Sequence, residues 1–410
     1  MTSEMRSDVL IIGAGQAALE CAASLRKNGY EGTITLIGEE VHPPYQRPPL
    51  SKAYLLGEMD AARLELRGRD FYTNGAITLL TGRQAVAIDR TAKTVKDDQG
   101  TVYHYGDLVL ATGARVRKLP VPGADLAGVF YLRTLTDIDL IGPSLAQAQN
   151  VAVIGAGFIG LEFAAVARKQ GKNVTIIEAA DRVMGRAVTE DISRYFEGLH
   201  RKHGSTVLTG TGVSGLVGQN DKLQGVTLAN GEVIATDLAL VGIGVIANCE
   251  LAVEAGLDCG NGIVVDEHGL TSDPHIYAAG DCVLYHHPFA GEPVRLESVQ
   301  NAIDQAKSVA AAISGTPQPY HAVPWFWSDQ FDIKLQIAGL STGTDTHVVR
   351  GNVDEDKFSI FHFRNGDLRA VDSINSAGDH MVARRLLASG KPITPEQAGD
   401  PNLVLKTLLV

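Results

Sequence analysis

Short continuous apolar runs alternate with longer amphipathic stretches along the first two thirds of this chain, the pattern of buried parallel strands joined by helices. Runs at 9–12 (Val-Leu-Ile-Ile) and 34–37 (Ile-Thr-Leu-Ile) flank a helix-like stretch reaching about residue 27. The arrangement recurs as a run at 151–154, a helix over 161–170 and a run at 174–177. Further strand-like runs lie at 107–113, 238–241 and 271–281, and an alanine-rich helix follows Glu297 to about residue 313. Past Gly315 the chain becomes richer in aromatic and β-branched residues, as in Phe358-Ser-Ile-Phe-His-Phe. That shift predicts a separate C-terminal α+β domain from about residue 319.

Each of the two strand-to-helix junctions carries a glycine-rich turn, Gly13-Ala14-Gly15-Gln16-Ala17-Ala18 and Gly155-Ala156-Gly157-Phe158-Ile159-Gly160. In such a turn the first glycine permits the bend, the second lets backbone approach a pyrophosphate, and the small third residue lets helix pack on strand. The helix N-terminus then offers unpaired N–H groups and a positive dipole end to the phosphates. An acid closes each unit, Glu39 in the first and Glu178 in the second, where a carboxylate can accept ribose hydroxyls. Two turns in this context point to two bound dinucleotides, a packing turn being the alternative for the second. The expected fold is α/β: two Rossmann-like dinucleotide-binding domains plus the C-terminal α+β domain. The expected boundaries are 1–113 with 243–318, then 114–242, then 319–410.

Two dinucleotides on one chain most simply mean a resident FAD and a nicotinamide that comes and goes. The first turn should hold FAD, because Thr112-Gly113 and Gly280-Asp281 belong to the same domain and offer groups to a ribityl chain. The second, with Gly155, Gly157, Phe158, Ile159, Gly160 and, where the chain leaves the last strand of its domain, Gly244, should hold the nicotinamide. Glu178 favours NADH, since a carboxylate bonds a 2′-hydroxyl and repels a 2′-phosphate. Arg182 and Arg186 lie close enough in sequence to soften that preference.

The bulk numbers remove other classes. A formal net charge of −11 over 410 residues argues against nucleic acid, which requires a basic surface. No apolar run approaches the ~20 residues that cross a bilayer, and a cytoplasmic location is the expectation. The four cysteines, Cys21, Cys249, Cys259 and Cys282, form no close pair, so neither a metal site nor a redox dithiol is suggested.

Several further motifs make the likeness specific. Pro48-Pro49-Leu50-Ser51-Lys52, Leu110-Ala-Thr-Gly113, Phe158-Ile-Gly-Leu-Glu162, Thr271-Ser-Asp-Pro274 with Gly280-Asp281-Cys282, Arg295-Leu-Glu-Ser-Val299 and Pro324-Trp-Phe-Trp-Ser-Asp-Gln330 are spread over nearly the whole chain. Together they resemble the putidaredoxin-reductase type of ferredoxin reductase. The resemblance implies a glutathione-reductase-like fold, tightly held FAD, NADH as donor and a [2Fe–2S] ferredoxin as acceptor, supplying a cytochrome P450 or another oxygenase. It assigns FAD contacts to Gly13, Gly15, Ala17, Glu39, Lys52, Ala85 (through backbone), Arg133, Asp281 and Val299, with Ala18 where many such turns have glycine; Arg47, Thr112 and Gly113 join this set.

The resemblance also implies catalytic roles. Lys52 would stand beside flavin N5 as a cation favouring the reduced ring, held there by Glu162; an ordinary surface ion pair is the alternative. Trp327 would lie toward the flavin edge on the electron's exit route, with core packing as the alternative. The helix beginning near Glu297, with Ser298 as N-cap, would direct its positive end at the flavin. Arg67, Lys307 and Lys406 match positions of a ferredoxin-docking surface. The competing functions are an NADH oxidase or peroxidase, and a flavoprotein whose NADH-dependent state controls partner binding.

Overall fold

The computed structural model describes residues 3–409, and they divide into two compact units. Unit 1 comprises the chain through Gln46, Leu64–Arg115 and Ala247–Phe326; unit 2 comprises Arg47–Arg63, Val116–Ile246 and the chain from Trp327 onward.

Unit 1 is built on a parallel sheet in the order Ile77–Leu80, Ile34–Ile37, Glu4–Ile12, Val102–Leu110. The far edge of Val102–Leu110 is shared: its first residues pair antiparallel with Thr94–Asp97, and its last, Leu108 to Leu110, pair parallel with Ile276–Ala278. Small side chains cover one face. Ala17, Ala18, Cys21 and Ala22 of the helix Gln16–Lys27 pack with Ala302, Ala306, Val309 and Ala310 of the helix Val299–Ile313. Alanine at these positions lets the helices lie close to each other and to the strands. The other face meets Ile263, Tyr285 and Tyr320 against Leu10, Ile12, Leu108 and Leu110.

Unit 2 repeats the design with five parallel strands in the order Thr206–Leu208, Asn173–Ile177, Asn150–Ile154, Leu238–Val241, Val129–Tyr131. A three-stranded antiparallel sheet, Val213–Gln219, Lys222–Leu228 and Val233–Ala235, covers one face through Leu216, Leu223 and Val226. The C-terminal part is a five-stranded sheet carrying the helix Ala377–Ser389, with Phe361, Phe363, Val371 and Leu386 at its centre. The α/β class and its C-terminal α+β addition are as the sequence pattern requires.

Four elements differ from the expected bounds, the run at 107–113 being the end of a longer strand, Val102–Leu110. The first strand reaches back to Glu4, because its polar beginning pairs residue by residue with Val102–Tyr105. The second-turn helix starts at Phe158, since Gly157 is already its N-cap. The expected strand at 271–281 shrinks to Ile276–Ala278. Thr271 Oγ1 there accepts from the Asp273 amide at 3.1 Å, a side-chain turn that competes with strand pairing, and Pro274 has no amide to donate.

Candidate active site

The first turn fits a pyrophosphate. Gly13 has φ +116°, and a Cβ there would sit 2.1 Å from the Ala111 carbonyl oxygen. Only glycine permits that approach. At Gly15, the N-cap of the first helix, a Cβ would meet nothing within 4 Å, so backbone amides face open space. Ala17 and Ala18 are buried behind them at 7% and 0% exposure. Glu39 is exposed just past Gly38, and Asp281 follows the Gly280 amide, which donates to the buried Gln305 Oε1 at 2.8 Å. Thr112 is tied to Asn248 by two bonds, Oγ1 to the Asn248 carbonyl at 2.7 Å and Asn248 Nδ2 to the Thr112 carbonyl at 2.9 Å. Ser298 accepts from the Asn301 amide and caps the helix that begins at Val299. Gly113, Ala85, half-buried in the strand Ala85–Asp89, Asp281 and Val299 belong to unit 1 with the turn.

The second turn has the same construction in unit 2. Gly155 has φ +98° and backs onto the Gly242 carbonyl, 2.5 Å from a notional Cβ, and Gly157 again faces open space. Gly160 permits close packing of helix on turn: a Cβ there would lie 2.3 Å from the Gly155 carbonyl oxygen. Phe158 is half-buried and Ile159 is 42% exposed, a large apolar side chain left at the mouth of the turn. Glu178 is clamped, accepting from the Ala156 amide at 2.7 Å and the Ala180 amide at 2.9 Å. Arg182 is not a loose surface charge; it donates to the Val188 carbonyl and Ser193 Oγ, each at 2.7 Å, and to the Gly185 carbonyl at 2.6 Å. Arg186 is exposed beside Gly244.

Unit 2 also contains the lysine–glutamate pair. Lys52 Nζ lies 2.9 Å from Glu162 Oε1, with the Glu162 side chain only 5% exposed and that of Lys52 18% exposed. Glu162 accepts as well from Ser51 Oγ at 2.6 Å and Ser328 Oγ at 2.8 Å. A buried carboxylate needs such donors to stay ionised. Asp329 Oδ2 stands 4.0 Å from the same ammonium. The local backbone makes this possible: Leu50–Tyr54 is a single wide helical turn interrupted at Lys52, whose φ −133° and ψ −111° are not helical. Arg47 donates to the Arg133 carbonyl at 2.8 Å in the same unit, and Trp327, half-buried, begins its last segment.

Of the residues expected at FAD, the unit 1 turn thus has Glu39, Ala85, Thr112, Gly113, Asp281 and Val299 in its own unit, whereas Arg47, Lys52, Arg133 and Trp327 belong to unit 2. The expected docking residues also divide. Arg67 and Lys307 are exposed on unit 1, Lys307 with Asp304 at 3.2 Å, while Lys406 is exposed on unit 2. Sequence reasoning did not single out Ser51 and Ser328, although both sit inside motifs it quoted, nor Gln305 and Asn248, which no local pattern marks.

All four cysteines are free; burial pushes the Cys21 thiol up to about 12 and that of Cys282 to about 11. Such thiols are protonated and inert. Among the described residues there is no group of His, Cys, Asp and Glu able to hold a metal, and no helix is long and apolar enough to cross a membrane.

Two open glycine cradles on two parallel sheets define a dinucleotide-binding fold. Comparison with known proteins agrees. Residues 7–306 match the pyridine nucleotide-disulphide oxidoreductase family and residues 325–409 the reductase C-terminal domain, so the chain belongs to that family. It is 51% identical to rhodocoxin reductase of Rhodococcus erythropolis over 398 residues, 97% of this chain and 93% of that protein. It is similar to the crystal structure of the ferredoxin reductase for the CYP199A2 system from Rhodopseudomonas palustris, with TM-score 0.96 and 47% identity, covering 98% of this chain and 100% of that one. The putidaredoxin reductase–putidaredoxin covalent complex is similar too, with TM-score 0.95 and 41% identity over 98% of both chains. Within its family the chain is an oxidoreductase of the putidaredoxin-reductase type.

Proposed function

We propose that this protein is an NADH-dependent ferredoxin reductase that passes electrons from NADH, through FAD, to a [2Fe–2S] ferredoxin supplying a cytochrome P450 or another oxygenase. The pair of open glycine cradles, one in each unit, carries the reading. FAD, when bound, supplies the conversion of a two-electron donor into one-electron steps, so no side-chain nucleophile is required. Gly13 and Gly15 would admit the FAD pyrophosphate to backbone amides, Glu39 would accept from the adenosine ribose, and Ala85, Thr112, Gly113, Asp281 and Val299 would orient the rest. Arg47 and Arg133 complete that set.

For the nicotinamide, Gly155, Gly157 and Gly160 shape the cradle, Phe158, Ile159 and Gly244 border it, and Glu178 accepts from the 2′-hydroxyl. The NADH preference is supported by the pre-fixed carboxylate and by Arg182, whose guanidinium is already bonded to the protein and cannot turn to a 2′-phosphate. With FAD bound, Lys52 would supply a cation favouring the electron-rich ring, Glu162 holds that ammonium in place, and Trp327 would screen the ring from water. Arg67, Lys307 and Lys406 receive the acidic ferredoxin. The working division is an FAD domain of 1–113 and 243–318, an NAD domain of 114–242 and a C-terminal domain of 319–410. The cytoplasm, with its NADH pool, is the proposed location.

The test is a purified preparation titrated with NADH, then offered a panel of [2Fe–2S] ferredoxins with cytochrome c as final acceptor. Yellow colour bleached by NADH and ferredoxin-dependent cytochrome reduction are expected. Equal NADH consumption with and without ferredoxin would instead make the protein an oxidase. Negligible turnover with every ferredoxin, joined to NADH-induced dimerisation, would favour control of a partner.

A further inference from the structure

Behind Glu162 lies a buried chain of polar side chains, all in unit 2, that the reaction as described does not use. His200 Nε2 is 2.9 Å from Gln330 Oε1, Gln330 Nε2 is 3.3 Å from Ser328 Oγ, and Ser328 Oγ is 2.8 Å from Glu162 Oε1. His200, Gln330 and Ser328 are each 0% exposed, and Glu162 is 4% exposed. A polar chain so deep is costly unless every donor meets an acceptor.

Its direction follows from the donor and acceptor inventory. Ionised Glu162 can only accept, so Ser328 must donate its single hydroxyl proton to it. Ser328 then has only lone pairs for Gln330, which turns the amide nitrogen toward the serine and the amide oxygen toward His200. His200 must therefore carry its proton on Nε2, leaving Nδ1 bare, and that nitrogen is buried with no hydrogen-bond partner. Reversing the amide would set two acceptors, Gln330 Oε1 and Ser328 Oγ, against each other. Burial also pushes the His200 imidazole down to about 4, in keeping with a neutral ring. Each N–H or O–H in the chain thus points toward the carboxylate that holds Lys52.

We propose that His200, Gln330 and Ser328 form a one-way hydrogen-bond chain that fixes the Glu162 carboxylate, and through it the Lys52 ammonium, making Ser328 and Gln330 positioning residues for hydride transfer. The inference rests on the role given to Lys52 above. Lys52 and Ser51 approach Glu162 from the short turn Leu50–Tyr54. Ser328 approaches from the C-terminal sheet, so that carboxylate is held by donors from separate segments.

Ser328→Ala and Gln330→Met remove links with little change in volume, and Ser328→Thr restores the hydroxyl. In Ser328→Ala the rate of flavin reduction at saturating NADH should fall about fivefold, the loss expected for one hydrogen bond, with the apparent Kd for NADH unchanged. The second readout does not depend on turnover: acetic anhydride labelling of Lys52, followed by mass spectrometry in the holoenzyme without NADH. An ammonium no longer held against the buried carboxylate is freer to meet the reagent, so labelling should rise severalfold in Ser328→Ala and Gln330→Met and return toward wild type in Ser328→Thr. Wild-type labelling and reduction rates in folded Ser328→Ala and Gln330→Met would overturn the chain. If Ser328→Ala does not fold, Gln330→Met alone decides by the same readings. Failure of the underlying reading looks different: Lys52→Met would then leave flavin reduction unchanged.

Discussion

The two glycine turns close with the same backbone bond, Gly13 amide to Ile37 carbonyl at 2.7 Å and Gly155 amide to Ile177 carbonyl at 2.8 Å. They diverge at the next residue. In unit 2 that residue is Glu178, which reaches back to the Ala156 amide. In unit 1 it is Gly38, where a Cβ would lie 2.4 Å from that of Ala14, so the turn's own alanine fills the space and the acid falls one position later, on exposed Glu39. The third positions differ too, Ala18 against Gly160. One motif has been packed in two ways: a pre-fixed acid suits a dinucleotide that exchanges at each turnover, since less ordering is needed at each binding, and an open acid suits one bound once and kept.

The sharpest break in this comparison is Gly13→Ala. Positive φ and a backbone clash at 2.1 Å should lower stability by about 3 kcal/mol or more, with flavin lost, read by thermal melting and absorbance. Acid should separate the units next. Burial pushes His200 and His380 of unit 2 and His287 of unit 1 down to about 4. These rings are neutral in the fold and take up protons on unfolding, so their contribution is complete above about pH 6.5 and is lost as pH falls toward 4. On the order of 3 kcal/mol is at stake for each; hydrogen exchange should show unit 2 losing protection first, and equal loss would remove the distinction.

Lys52→Met should slow flavin reduction roughly 100-fold with NADH affinity nearly unchanged, measured by stopped flow. Gly157→Ala places a methyl group in open space and should leave melting and flavin content intact while raising KM for NADH about tenfold, or about 1.4 kcal/mol. Gly15→Ala should do the reverse, loosening FAD without changing KM per flavin. Should either exchange affect both nucleotides alike, the two cradles are not independent. The smallest effect belongs to charge reversal at Arg67, Lys307 and Lys406, expected to lower the ferredoxin association rate a few-fold and flatten its salt dependence.

The strands, both turns and the C-terminal change of character were legible because buried parallel strands and glycine-rich bends leave local, periodic traces. Even the cap at Ser298 was readable from its place before the helix Val299–Ile313. The acid's register was not: Glu39 lies 26 residues after Gly13 and Glu178 23 after Gly155, yet only the Ile37 and Ile177 carbonyl bonds reveal which position each occupies. Gln305 beneath Gly280 and His200 behind Gln330 were invisible for a related reason, since their partners are 25 and 130 residues away.

By itself the sequence determined the two glycine-rich turns and the α/β class, because each is written in neighbouring residues and in composition. Tertiary structure decided that Glu162 is buried and thrice bonded, that Arg182 is occupied, and that residues 47–63 join unit 2 rather than the unit around them. Those facts depend on which distant groups share one low-dielectric space, and burial and hydrogen-bond partnership arise only when the chain closes on itself.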